Sequence, residues 1–246
     1  MQLSQLCTDY GIPYKATDWN LYRQISSSND LLEASTGLYR NSGNDTIVVG
    51  GHVVLPELLG LRNMRKPSGD IDSVASEQGI RRLFNTTDLY GNVHYGSKEC
   101  ELFLELNGIP IGVSLDKIHD WDVTDDFRQS SLEIETEKGK VRVALPEYQI
   151  MLKLRRGYHC METNRPFYGK DRIDIANIFL ADLDGGRRIE MQRLKELIQE
   201  HIVSDPECLS QLWAIANLYN VGSLRKGEKN DWYALLDQFS SILLNS

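Results

Sequence analysis

The sequence predicts an α+β fold: a mixed domain over residues 1–145, followed by a helical bundle over residues 146–246. Three observations carry that expectation. Two β-patterned pairs, CELFLEL with IPIGVSLD and SLEIETE with KVRVAL, meet at Asn107-Gly108 and Lys138-Gly139, and Asn-Gly is the strongest short-range hairpin signal. Helix-patterned stretches interleave with strands in the first part of the chain. After Pro146 the strand pattern stops. PEYQIMLKLRRGY, KDRIDIANIFLADL, RIEMQRLKELIQEHIV, PECLSQLWAIANLY and NDWYALLDQFSSILL all carry apolar residues at helical spacing.

Residues 2–10 and 30–40 read as short helices. The polar turn NSGND leads into Thr46–Val49, an apolar run of the length of a buried strand. Gly50-Gly51 ends that strand, and HVVLPELLGL opens a helix offset by Pro56. RNMRKPSG is a basic, turn-rich loop that delivers the chain into a second strand at Asp70–Val74, with a helix at Glu77–Phe84. Pro146 and Pro206 stand near helix starts, where proline is tolerated, and Asn230 or Asp231 can cap the last helix.

The bulk numbers exclude several classes. A net charge of -8 disfavours a broad, non-specific grip on nucleic acid, although it leaves room for a local basic groove. Cys7, Cys100, Cys160 and Cys208 lie far apart with no C-x-x-C pair, which argues against a disulfide framework or a zinc site and fits the cytoplasm. No apolar run reaches the ~20 residues that span a bilayer. The first residues, MQLSQLCTDYGIPYK, lack the basic and apolar regions of a secretory signal.

Four elements carry chemistry. Gly50-Gly51 at a strand-to-helix junction lets backbone N–H groups approach a phosphate, although an isolated Gly-Gly is more often a plain tight turn. In Ser68-Gly69-Asp70-Ile71-Asp72, strand alternation projects Asp70 and Asp72 together while Ile71 packs inward. Two adjacent carboxylates repel unless a cation joins them, and Mg²⁺ held by carboxylates and substrate phosphates is the usual solution; the bland alternative is a solvated turn. Lys153 is flanked by Ile150, Leu152 and Leu154, so it either snorkels to solvent or reaches a triphosphate as a point charge. Asp171 and Asp174 are three residues apart on one helix face, with helix-dipole and surface-pair roles as their bland reading.

Taken in order, VVGGHVVLPELLGL, RKPSGDIDSV, PEYQIMLKLRR and KDRIDIANIF resemble the AbiEii-type nucleotidyltransferases, members of the minimal-nucleotidyltransferase superfamily with a DNA polymerase β-like fold. The resemblance spans roughly residues 30–182. It implies a nucleotidyltransferase-fold mixed sheet flanked by helices, with the helical domain completing an active-site cleft. It implies an NTP substrate and Mg²⁺ or Mn²⁺ as cofactor. Carried over, Gly50 and Gly51 match the nucleotide turn and Asp70 and Asp72 the metal-binding pair. Lys153 matches the lysine of the third motif, and Asp171 and Asp174 fall in the fourth, where Asp174 is the preferred functional aspartate. The acceptor it implies is RNA such as tRNA, a protein or a small molecule. Some members are toxins of toxin–antitoxin or phage-defence systems, which implies a cognate antitoxin as partner.

Two departures stand out. Eighteen residues separate Gly51 from Asp70, an extended loop. In IPIGVSLD, relatives often carry an aspartate near Gly112; by period-two counting Gly112, Ser114 and Asp116 share a face, so Asp116 is the expected third metal ligand, with Glu105 as the other candidate. If neither reaches, the chain becomes a nucleotide- or protein-binding module without turnover.

Arg65, Lys66 and Ser68, with Arg62, precede the aspartates and are expected to contact phosphate, against the reading of a solvated charged face and a capped turn. His52 is a helix-start side chain or a nucleotide contact. His94, His119, His159 and His201 lack metal-ligand spacing, and no serine has a G-x-S-x-G context. Trp121, Trp213, Trp232 and Tyr219 read as packing residues.

Overall fold

The computed structural model describes residues 3–13, 28–49, 70–86, 94–95, 101–118, 121–167, 171, 174–175, 178–179 and 189–202. Its strands are β1 (Ile47–Val48), β2 (Ile71–Ala75), β3 (His94–Tyr95), β4 (Glu101–Leu106), β5 (Ile109–Leu115), β6 (Lys117–Ile118), β7 (Trp121–Asp122), β8 (Leu132–Thr136) and β9 (Gly139–Val143). Its helices are α1 (Leu3–Asp9), α2 (Ser28–Asn41), α3 (Glu77–Phe84), α4 (Asp125–Ser130), α5 (Pro146–Glu162) and α6 (Met191–His201). The architecture is α+β. Among the described residues one compact unit ends at Leu145 and a second begins at Pro146.

In the first unit a seven-stranded mixed sheet runs in the order β3-β4-β5-β2-β1-β9-β8, with β6 and β7 as a separate ribbon. Hairpin chemistry sets the two ends of this order. Asn107 and Gly108 both adopt positive φ, 53° and 78°, as a tight two-residue turn demands, and they pair β4 with β5. Gly139, at φ 123°, opens β9 against β8. The parallel pairing of β2 with β5 cannot be made by a hairpin, and the intervening chain includes α3, β3 and β4.

Each helix presents the face that its sequence makes apolar. On α2, Leu31, Leu32, Ala34, Ser35, Leu38 and Tyr39 are buried, and the helix packs on β4, β5 and β9. α3 is capped by Ser76, whose hydroxyl accepts the Gly79 N–H at 3.3 Å, and it buries Ile80, Leu83 and Phe84. Asp45, just before β1, accepts the Ser76 N–H at 2.7 Å and so ties the entry of β1 to the exit of β2. α4 and the β6–β7 ribbon are not foreseen by alternation or helical periodicity, since both are too short to show either. Thr124 caps α4 by accepting the Phe127 N–H at 3.1 Å, and Trp121 meets Phe127 edge-on at 5.5 Å. Trp121 is therefore the packing residue expected of it.

In the second unit α5 packs against α6. Pro146 begins α5, where its missing N–H costs nothing. Asp171, Ile175, Ile178 and Phe179 are helical and buried at the spacing of one helix face. Gly157 lets the Phe167 ring lie against α5: an added Cβ would sit 2.8 Å from Cζ of that ring. The helices expected over HVVLPELLGL, PECLSQLWAIANLY and NDWYALLDQFSSILL, with Trp213, Tyr219 and Trp232, lie outside the described residues. No described helix is long and apolar enough to cross a membrane.

Candidate active site

β1 and β2 run antiparallel, with Ile47 opposite Val74 and Val48 opposite Ser73. The ladder continues one step further, where the Val49 N–H donates to the Asp72 carbonyl at 3.0 Å. The chain about to enter Gly50-Gly51 is thus tied to the residue that carries the second acid.

On β2 the side chains sort as period two requires. Ile71 and Ser73 are buried on one face, and Asp72 between them is exposed on the other. Asp72 is the one exposed position of this strand. Asp70, one residue before the strand, is half-buried. Because β2 lies between β1 and β5, Asp72 is presented from the interior of the sheet rather than from an edge.

The neighbour of Asp72 across the parallel pairing is Gly112. The Ser73 hydroxyl, on the buried face, donates to the Gly112 carbonyl at 3.0 Å and reinforces this register. Gly112 contributes no side chain to the face that carries Asp72.

Asp116 is the expected third ligand. It follows the end of β5 in a left-handed conformation, φ 50°, with its N–H on the Ala75 carbonyl and its own carbonyl accepting from Val123. Counted from Gly112, four residues of strand put it about 13 Å along the sheet, beyond any ion shared with Asp72. Its carboxylate is instead ion-paired with Arg128. Alternation takes no account of distance along the strand. Glu105 is the other candidate. It pairs with Pro110 at the hairpin end of β4, two strand spacings or roughly 10 Å from β2. Among the described residues, no three His, Cys, Asp or Glu side chains approach closely enough to hold a metal ion.

The donor set still suits one Mg²⁺. This ion is commonly held by one or two carboxylates, with substrate phosphates and water completing the octahedron, and Asp70 and Asp72 are the two carboxylates at this end of β2. Gly50, Gly51, Arg65, Lys66 and Ser68, together with His52 and Arg62, lie outside the described residues.

The second unit gathers Lys153, Asp171 and Asp174. Lys153 Nζ stands 2.7 Å from Asp174 Oδ2 and 3.2 Å from Asp171 Oδ1. Asp171 and Asp174 are almost wholly buried, so neither is the surface acid of the bland reading, and Lys153 is largely covered as well. Arg156, one turn along α5 from Lys153, adds a contact at 3.3 Å to Asp171. Sequence reading passed over Arg156, although K-x-x-R on one helix face, paired with D-x-x-D on another, was its signal. Four charged groups in low-dielectric surroundings hold one another, since an unpaired buried charge is costly.

No protein-family profile matches the sequence, and no curated protein sequence matches it. Solved structures similar to this chain include an antigenic nucleotidyltransferase-like protein from Paracoccidioides brasiliensis, at 15% identity and a TM-score of 0.47, covering 77% of this chain and 94% of that one. Another is the antibiotic-resistance factor ANT(2'')-Ia, at 15% identity and a TM-score of 0.45, covering 70% of this chain and 89% of that one.

Proposed function

We propose that this chain is a Mg²⁺-dependent nucleotidyltransferase of the AbiEii type, which moves a nucleoside monophosphate from an NTP to an acceptor. The observation that supports it is the Val49–Asp72 backbone bond, which ties the lead-in to Gly50-Gly51 to an exposed carboxylate within the sheet. A phosphate-approaching turn beside a carboxylate pair is what a metal-bound triphosphate requires.

In this reading Asp70 and Asp72 hold the cation, and Gly50, Gly51, Arg65, Lys66 and Ser68 receive the triphosphate. Bound Mg²⁺ would neutralise charge on the departing pyrophosphate. An acceptor oxygen forms the new bond to the α-phosphorus as the α–β bridging P–O bond breaks, and the electron pair leaves with pyrophosphate. Lys153, Asp171 and Asp174 belong to the same activity by their place in the motif order. The acceptor classes are RNA such as tRNA, a protein or a small molecule. The proposed setting is the cytoplasm, as a toxin held in check by a cognate antitoxin.

The test is incubation of the purified protein with α-labelled NTPs, Mg²⁺ and cell extract fractionated into RNA, protein and small molecules. Label should enter one fraction and release pyrophosphate. Equal labelling by an Asp70→Ala/Asp72→Ala variant would refute the assignment.

One observation favours a second reading, a nucleotide- or protein-binding module without turnover. Gly112 stands beside Asp72, and Asp116 is engaged by Arg128. That reading expects a fluorescent NTP to bind with no pyrophosphate released in the presence of any fraction.

A further inference from the structure

Two-metal phosphoryl and nucleotidyl transfer places its ions about 3.5–4 Å apart, so some ligand has to reach both or stand beside both. On a sheet, the position able to do this next to Asp72 is its partner on the adjoining strand, since neighbouring strands lie about 4.8 Å apart. Here that position is Gly112. The next acid along β5 is Asp116, turned into a left-handed bend and paired with Arg128. The acid on the strand beyond, Glu105, sits at the hairpin end. The strand on the other side, β1, presents Ile47, Val48 and Val49 at the rungs nearest Asp72. Among the described residues, the two strands that flank β2 therefore place no carboxylate at the rungs beside Asp72.

We infer that this site holds a single divalent cation, carried in with the nucleotide by Asp70 and Asp72, and that Gly112 beside Asp72 is the residue that denies it a second. The inference rests on the nucleotidyltransferase reading and deepens it. The backbone itself does not bar an acid at position 112, because Gly112 is not among the residues with positive φ. A single-ion site leaves activation of the acceptor oxygen to the acceptor's own acidity or to a base, and so selects acceptors that need less help.

The test is electron paramagnetic resonance of the full chain with a non-hydrolysable α,β-methylene NTP and increasing Mn²⁺. The wild type should show one nucleotide-dependent Mn²⁺ per chain with an uncoupled six-line spectrum at saturation. Gly112→Asp should bind two, with the signal loss of an exchange-coupled pair. A coupled pair in the wild type would overturn the single-ion inference while leaving the transferase reading intact. No nucleotide-dependent Mn²⁺ on the protein would overturn both. Should Gly112→Asp fail to fold, the wild-type stoichiometry and spectrum decide the question alone, with Asp72→Asn as the control that lowers Mn²⁺ affinity at least tenfold.

Discussion

Lys153 reaches Asp174 at 2.7 Å, and the aspartate side chain is only 4% exposed. A carboxylate that deep is costly to bury unless cationic groups pair with it. Lys153→Met keeps the aliphatic volume of the lysine and removes its charge, leaving Asp171 and Asp174 with one positive neighbour fewer. Breaking a buried pair from one side costs about 3–5 kcal/mol, and urea denaturation of the variant should show a loss of that order. A loss below about 1 kcal/mol, the range of exposed pairs, would show that the cluster is hydrated rather than buried.

Glu147, in the first turn of α5, is a buried acid. Its Oε1 accepts the Glu190 N–H at 2.7 Å, its Oε2 has no hydrogen-bond partner, and burial pushes its pKa above the ordinary glutamate value. A carboxyl with a raised folded-state pKa contributes stability in full below its unfolded pKa and loses that contribution as pH rises through the folded value. Glu147→Gln keeps the acceptor for Glu190 and removes the titration. Relative to the wild type it should therefore gain in melting temperature as pH rises from about 4.3, the ordinary glutamate value, towards neutrality. Parallel curves for the two proteins would show that Glu147 is solvated.

Gly157→Ala sets helix propensity against packing. Alanine is worth up to about 1 kcal/mol over glycine in a helix interior. The new methyl would lie 2.8–3.0 Å from Cζ, Cε2 and Cε1 of the buried Phe167 ring. Overpacking of that kind costs roughly 1–3 kcal/mol, so the variant should be less stable overall. Phe167→Leu in the same chain should return part of the loss, and a stabilised single variant would mean that the ring moves aside freely.

Asp116 and Asp72 should separate cleanly in nucleotide binding. Asp116→Asn tolerates a left-handed φ and removes only the charge paired with Arg128, so Mn²⁺–NTP affinity should stay within about twofold. Asp72→Asn should lower it at least tenfold, because Asp72 is the exposed acid tied to the lead-in of the glycine turn. Titration calorimetry with a non-hydrolysable NTP reads both. Equal losses would return Asp116 to the metal site.

Much of this architecture was legible because its determinants are local. The Asn107-Gly108 turn, the Glu77–Phe84 helix and the outward side chain of Asp72 follow from turn chemistry, capping and period-two alternation within a few residues. The position of Asp116 relative to Asp72 is something that alternation cannot register. Sharing a face says nothing of how far along the strand a residue lies. Arg156 was missed because its partner Asp171 is fifteen residues away, on another helical stretch.

The amino-acid order alone determined the α+β class, both long hairpins, the change to helices at Pro146 and the sorting of Asp72 from Ile71 and Ser73. Each depends on forces acting over one turn or one pleat. Tertiary structure decided which strand lies beside β2, hence that Asp72 meets Gly112, and that Lys153 is held between two buried aspartates. Strand neighbours and buried ion pairs are set by non-local burial, where many pairings of similar local sequence compete and only the packed whole selects among them.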